Sequence, residues 1–488
     1  MANNKVRSSL TRAWFILNRV SPDHVPSYKG RLKFGDWTES FGDITRVEEP
    51  DPNKLDSFIV VDTIRGEEDQ VTFELQGRLP MQASYLMEVA KLNCTFDIQA
   101  HVGLCKNPKE YDGGWEKIYH FSEVRPTSYG LENFGAIESG ERNPTNETLE
   151  VSAEDVFEIV RLDFADVVPA GTTLPIVDIS TYGQKECTEC EENLVGCDTV
   201  FAVSTVALSD DALILFTDDA WSTSGSTNPT AFLGDPNHII SSGSYVYVTS
   251  TTDTNVYFAD AEDIVLGTDV WDTIAISDAV ISLDASSATS LWLGTTDGTV
   301  EVIESNTVTR VYQVFTATTD VADIAVWDDE NVLVVAAGNL VSYTVDNGAT
   351  WNDLTGPSVG NDLTRCEMIS DKIFLVADDN GDLFETHNAG LTWSQLSLSG
   401  APSAITKIRM VNNAVGYISG ANAGATAGIA WRTTNGGNSW YQLPASGHGN
   451  ALPTNTAINS LAVCPGAVNL VYMAGGNTGP TGVIIKGR

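Results

Sequence analysis

Basic residues are scarce in this 488-residue chain, where 27 Lys and Arg stand against 65 Asp and Glu for a net charge of −38 at pH 7. Proteins that grip nucleic acid do so by neutralising phosphates with clustered cations, so stable DNA or RNA binding is disfavoured. Histidine is sparse too: His24, His101, His120, His238, His387 and His448 are scattered, with no HExxH or other ligand spacing. No segment approaches the roughly 20 apolar residues of a membrane-spanning helix. The first twenty residues hold only Trp14–Leu17 as a continuous apolar run. A secretory signal needs about 7–15, so membrane insertion and secretion are not expected. Acidic residues stop at Glu385, while Lys407, Arg409, Arg432, Lys486 and Arg488 follow it. In a chain this acidic, that sector is expected to dock against an acidic surface through Arg409 and Arg432, where like charge would otherwise oppose assembly.

What is present is a repeat. TVDNGATW ends at Trp351, THNAGLTW at Trp393 and TTNGGNSW at Trp440, so the tryptophans lie 42 and 47 residues apart. That period is the size of one four-stranded propeller blade. Asp346, Asn388 and Asn435 are expected to hold a tight turn by accepting backbone N–H bonds two residues on. Gly348, Gly390 and Gly437 supply the positive φ of that turn, and each indole plugs the gap between two blades. These residues resemble the Asp-box (BNR) repeat of sialidases, sortilin-type receptors and photosystem II assembly factors. In those families the box is structural and sits on the propeller rim. Segments 211–221, 245–259, 290–305, 331–345 and 372–386 each read as strand, turn, strand. Segment 458–487 reads as an incomplete blade that the strand at 199–208 could complete. A six- or seven-bladed β-propeller over 199–488 is the expectation.

The first half differs. Residues 1–197 hold 19 of the 27 basic residues and longer strand candidates, with one amphipathic helix expected over 81–93 from Tyr85, Leu86, Val89 and Leu92. The stretch from VTFELQGRLP through GWEKIYHF and SYGLENFGAIESGERNPTNETLEVSA resembles a tail tube protein of long-tailed bacteriophages over about residues 30–165. The resemblance implies a β-sandwich with one or two helices, six copies in a ring, and rings stacked into a DNA conduit. It implies no catalytic residue. The apolar run Trp14–Leu17 fits an N-terminal arm that packs onto the next subunit, since those side chains would be costly in water.

Cys187, Cys190 and Cys197 cluster at the junction of the halves. A disulfide within the linker or between subunits, three zinc ligands wanting a fourth, and free thiols are the readings open; no metal site is assigned. A sialidase-like glycosidase would need an arginine triad, yet only Arg310, Arg365, Arg409, Arg432 and Arg488 follow residue 198, none in the first blade. No catalytic constellation or cofactor is expected. The resulting expectation is a mostly β virion protein: a tail-tube-like domain with an N-terminal arm (1–180), a cysteine-containing linker (181–198) and an outward-facing propeller (199–488). It would assemble in the host cytoplasm as stacked homohexameric rings with other tail proteins, around an acidic channel that DNA traverses without specific binding. The alternative is a tail or capsid decoration protein whose propeller binds host-surface glycans, with Trp271, Trp292 and Trp327 as stacking candidates.

Overall fold

The chain divides into two units, Met1–Val160 and Arg161–Arg488. A computed structural model describes residues 12–16, 33–40, 44–50, 58–65, 70–78, 96–102, 117–132, 146–153, 155–160, 162, 164–166, 176–182, 199–205, 212–218, 224–229, 232–285, 290–357, 360–422, 427–443, 456–464, 467–477 and 482–487. The helix expected over 81–93 and the cysteines Cys187, Cys190 and Cys197 lie outside the described residues.

In the first unit the described residues form β1 (Arg12–Ile16), β2 (Lys33–Ser40), β3 (Ile44–Pro50), β4 (Phe58–Arg65), β5 (Gln70–Arg78), β6 (Phe96–Val102), β7 (Lys117–Glu132), β8 (Asn146–Ala153) and β9 (Asp155–Val160). Seven of them make one sheet in the order β1-β6-β7-β8-β5-β2, with β9 on β7, while β3 and β4 pair separately. The organising strand is the 16-residue β7. Its first half pairs with β6 and β9, its second half with β8. A register shift between Pro126 and Ser128 lies in the part that pairs with β8; a proline cannot donate to a ladder, so it sits at such an irregularity. Ile118, Phe121 and Val124 on β7, Leu149 and Val151 on β8 and Ile159 on β9 are buried.

The second unit is a β-propeller. Its described residues form seven four-stranded antiparallel sheets. The first strands of blades 1 to 7 are Ile176–Tyr182, Pro236–Ser242, Val280–Ala285, Val321–Val326, Leu363–Met368, Ala404–Met410 and Thr456–Val463. Each touches the first strand of the next blade, and the seventh touches the first, so they ring a central channel. Second strands such as Ser290–Thr295, Val332–Ala336 and Phe374–Asp378 are buried along their whole length because neighbouring blades cover both faces. That is why they read as continuous apolar runs. The outermost strand Thr307–Gln313 alternates exposed and half-buried residues, as a strand with one wet face must.

Two boundaries differ from expectation. The strand Thr199–Thr205 does not complete the last blade; it is the second strand of blade 1, paired with Ile176–Tyr182. The ring is closed instead by β10 (Phe164–Asp166), which pairs with Gly482–Gly487 at the outer edge of blade 7. The propeller therefore begins near Arg161 rather than at 199. The expected linker 181–198 starts on a strand of blade 1 and leads to that strand's own partner. The short β10 carries too few residues for an alternation pattern, so nothing local in the sequence marked it.

Candidate functional site

The three repeated turns come first. Thr344 Oγ1 donates to Asp346 Oδ1 (2.8 Å) and accepts from the Gly348 N–H (2.9 Å), while Asp346 Oδ1 accepts from the Thr350 N–H (2.8 Å). The same three bonds recur around Asn388, with Thr386, Gly390 and Thr392. They recur again around Asn435, with Thr433, Gly437 and Ser439. The acceptor reaches four residues on, not two, because the Thr at the strand end occupies the shorter-range donors. Gly348, Gly390 and Gly437 have φ of 79°, 79° and 90°, values a residue with a Cβ rarely adopts. Trp351 packs against the apolar cluster between blades 3 and 4, Trp393 between blades 4 and 5, and Trp440 between blades 5 and 6. The nine residues thus pin each hairpin to the preceding blade.

The polar chemistry of the propeller gathers at its centre. All seven first strands carry a register shift at the same place, just before Asp178, His238, Ser282, Asp323, Arg365, Lys407 and Ser460. Two positions further on stand Ser180, Ile240, Asp284, Ala325, Glu367, Arg409 and Ala462. A rule connects them: an acceptor on one blade takes the backbone N–H one residue past the equivalent position on the next. Asp178 Oδ2 accepts from Ile239 N (3.0 Å), Asp323 Oδ2 from Cys366 N (2.9 Å), Asp284 Oδ2 from Val326 N (2.9 Å), Glu367 Oε1 from Met410 N (2.9 Å) and Ser180 Oγ from Ser241 N (3.0 Å). Donors complete the belt. Asn237 Nδ2 donates to Val280 O, Ser282 Oγ to Val321 O, Arg365 Nε to Thr406 O, Thr406 Oγ1 to Ile458 O and Asn459 Nδ2 to Ile176 O. Every junction between adjacent blades is bridged in this way. Bonds of this kind satisfy backbone groups that the innermost, edge-facing strands would otherwise leave unpaired.

Arg409 departs from the pattern by spanning the channel. From blade 6 its guanidinium forks onto Asp284 of blade 3 (Nη1–Oδ2 2.9 Å, Nη2–Oδ1 2.7 Å), and Nη1 also reaches Glu367 Oε2 of blade 5 at 3.3 Å. Side-chain exposure is 20 % for Arg409 and 7 % for Asp284. Burial works against the guanidinium's charge, but Asp284 and Glu367 outweigh it and keep it protonated. Burial also pushes Glu367 up to about 7, a rise that Arg409 moderates and Asp284 reinforces. Asp178 behaves oppositely: although burial opposes its ionisation, His238, Lys407 and the Ser460 hydroxyl hold it down to about 2. Beside this cluster lies a cavity of about 250 Å³, lined among others by Asp178, Thr181, Asp284, Glu367, Lys407 and Arg409.

No known family model matches the chain, and no curated protein does. Several solved structures are similar over about two thirds of the chain. The WD40 repeats of RRP9 superpose with a TM-score of 0.49 at 13% identity, covering 67% of this chain and 98% of that one. YCF48 from Cyanidioschyzon merolae gives 0.47 at 15%, over 66% and 98%. Virginiamycin B lyase from Staphylococcus aureus gives 0.47 at 10%, over 67% and 99%. These are propellers, and the resemblance ends there.

Several expected roles are corrected by the geometry. Arg409 and Arg432 are not a docking surface. Arg409 is spent on the channel, and Arg432 is fully buried, donating to Val468 O (2.8 Å) and Asn469 Oδ1 (3.0 Å) with its guanidinium over the Tyr417 ring. No Asp or Glu follows Glu385, and Arg409 finds its acids on blades 3 and 5. Trp292 is fully buried between blades 3 and 4 and cannot stack on a ligand. Trp271 is half-buried and donates to Asp269 Oδ2 (2.8 Å), whereas Trp327 is 42 % exposed. Cys366 is a buried free thiol, and Cys464 is buried and disulfide-bonded. The channel cluster itself was missed. Its signal was an acidic or basic residue inside an otherwise apolar strand start: Asp178 in IVDIS, Asp284 in ISLDA, Asp323 in ADIAV, Glu367 in CEM and Arg409 in IRM.

Proposed function

We propose that this chain is a structural subunit of a virion tail, whose first unit assembles into stacked rings and whose propeller is an outward-facing appendage. The supporting observation is the sheet built on β7. It falls in the stretch that resembles tail tube proteins, and the segments Lys117–Glu132 and Asn146–Ala153 within that stretch pair antiparallel as β7 and β8. Among the described residues, β1 and β2 end that sheet with one side unpaired. Open edges of this kind are where a neighbouring copy can add its own strands. The propeller, by contrast, closes on itself through β10, and its channel carboxylates are engaged by backbone donors and Arg409. That arrangement suits a rigid module better than a hydrolytic site, which needs a carboxylate poised for proton transfer to substrate.

Electron microscopy of the purified full-length protein tests the reading. Stacked rings or hollow tubes, six copies to a ring and studded with globular knobs, are expected; monodisperse monomers or trimers under all conditions would overturn it. A second reading, host-glycan binding by the propeller, is favoured by the exposed Trp327 alone. A glycan array probed with wild type and Trp327→Ala tests it: signal lost in the variant supports it, and no signal with wild type sinks it.

A further inference from the structure

We propose that the disulfide at Cys464 is an intramolecular staple joining blade 7 to the connection that leaves blade 1, through Cys187, Cys190 or Cys197. The inference does not rest on the virion reading.

Cys464 is fully buried and disulfide-bonded, while Cys366 in blade 5 is a free thiol. Of the seven cysteines, that leaves Cys94, Cys105, Cys187, Cys190 and Cys197 as partners. Position narrows the choice. Cys464 directly follows Thr456–Val463, the first strand of blade 7. Val463 O, at the end of that strand, accepts from Thr181 Oγ1 of blade 1 at 2.7 Å. Further back, Asn459 Nδ2 donates to Ile176 O (2.8 Å) and Ser460 Oγ to Asp178 Oδ1. Cys464 therefore stands beside the last residues of Ile176–Tyr182. The connection 183–198 departs there and, because Thr199 lies opposite Tyr182, returns to the same place. Its own residues lie outside the described ones, but both of its anchors are described. A disulfide holds its two Cα atoms about 4.4–6.8 Å apart, so the partner must come to this end of the sheet. Cys197 is two residues from Thr199, a reach of at most about 7 Å. Cys94 and Cys105 belong to the other unit and have no such tether to this strand end.

This seam is where a staple has most to do. At every other junction the chain passes from the outermost strand of one blade to the first strand of the next. Between blades 7 and 1 that passage runs from β10, a strand of only three residues, to Ile176. Parting the two blades would expose Ile179, Ala462 and Tyr472 of their shared apolar cluster. With β10 at the outer edge and Cys464 at the end of the innermost strand, the seam is held on both sides. The bond also ties together residues from opposite ends of the propeller sequence, which removes freedom from the unfolded chain.

The test is peptide mapping of the full-length protein, equilibrated with oxidised glutathione, denatured, and alkylated without reduction. The exchange balances: two protein thiols and one glutathione disulfide give one protein disulfide and two glutathione thiols. Trypsin with a Glu-specific protease separates the three candidates, because Glu189, Glu191 and Glu192 lie between them. The peptide carrying Cys464 is expected joined to one carrying Cys187, Cys190 or Cys197. Alkylated Cys464, or Cys464 joined to Cys94, Cys105, glutathione or a second chain, would overturn the proposal. Thermal unfolding then reads the load on the bond. Reduction with a phosphine should lower the unfolding temperature by about 5 °C or more. Cys464→Ser should unfold at that lower temperature with or without reductant. No change on reduction, or an equal fall in Cys464→Ser, would mean that this bond does not staple the ring. If Cys464→Ser does not fold, as judged by circular dichroism, Cys464→Ala is read in its place against the same criteria.

Discussion

Glu367→Gln should make this protein more stable at alkaline pH. The Glu367 side chain is 8 % exposed, and its carboxyl sits among Asp284, Lys407 and Arg409. Burial lifts it from 4.5 to about 7. The sign follows from linkage. Below 4.5 the group is protonated in both folded and unfolded chains and costs nothing. As pH rises from 4.5 to about 7 the unfolded chain releases the proton first, so stability falls, and above 7 the full penalty is in place. A change of that size corresponds to about 3 kcal/mol. A glutamine keeps one acceptor oxygen for Met410 N, gives up only the longer 3.3 Å contact of Oε2 with Arg409, and has no proton to lose. Arg409 retains its fork on Asp284, so no buried cation is orphaned. The variant should match wild type near pH 4.5, exceed it by about 2–3 kcal/mol at pH 8, and lose the slope between. Denaturant titrations of full-length wild type and variant, followed by near-ultraviolet circular dichroism at half-unit pH steps, measure this. A variant less stable than wild type at pH 8, or one with an unchanged slope, would refute the reasoning and mean that the Glu367 charge is favourable where it lies.

Two further perturbations probe the architecture. Thr386→Val deletes the acceptor of the Gly390 and Asn388 N–H groups and the donor to Asn388 in a residue 1 % exposed; a loss of about 1–3 kcal/mol is expected in thermal or denaturant unfolding. Leu391→Ser, a few residues away but 78 % exposed, should stay within about 0.5 kcal/mol of wild type and serves as the contrast. Phe164→Ala tests the closing strand. The Phe164 ring occupies the space beside Gly487, where an added Cβ would come within 2.6 Å of it. About 2 kcal/mol should be lost, with limited proteolysis now cutting near 164 and at the C-terminal strand; an unchanged cleavage pattern would mean that β10 does not latch the ring.

What the sequence alone determined is whatever repeats or is local. The Thr-x-(Asp/Asn)-x-Gly turns and their tryptophans announced blades because each copy closes its own hydrogen bonds within six residues. The second strands announced themselves as apolar runs because both their faces are covered. Strands β7 and β8 were expected only through the resemblance to tail tube proteins, not from a repeat or an apolar run. Tertiary structure alone decided the rest. The closure of blade 7 by Phe164–Asp166 joins residues more than 300 apart in sequence, and three residues carry no periodicity to read. The role of Arg409 depends on Asp284, 125 residues away and three blades round the ring. An arginine that looks like a free surface cation in a run without acids becomes the clasp of a buried cluster only when the circle brings its carboxylates to it. Charge interactions act through distance in space, so a count along the chain could register the imbalance but not where it is balanced.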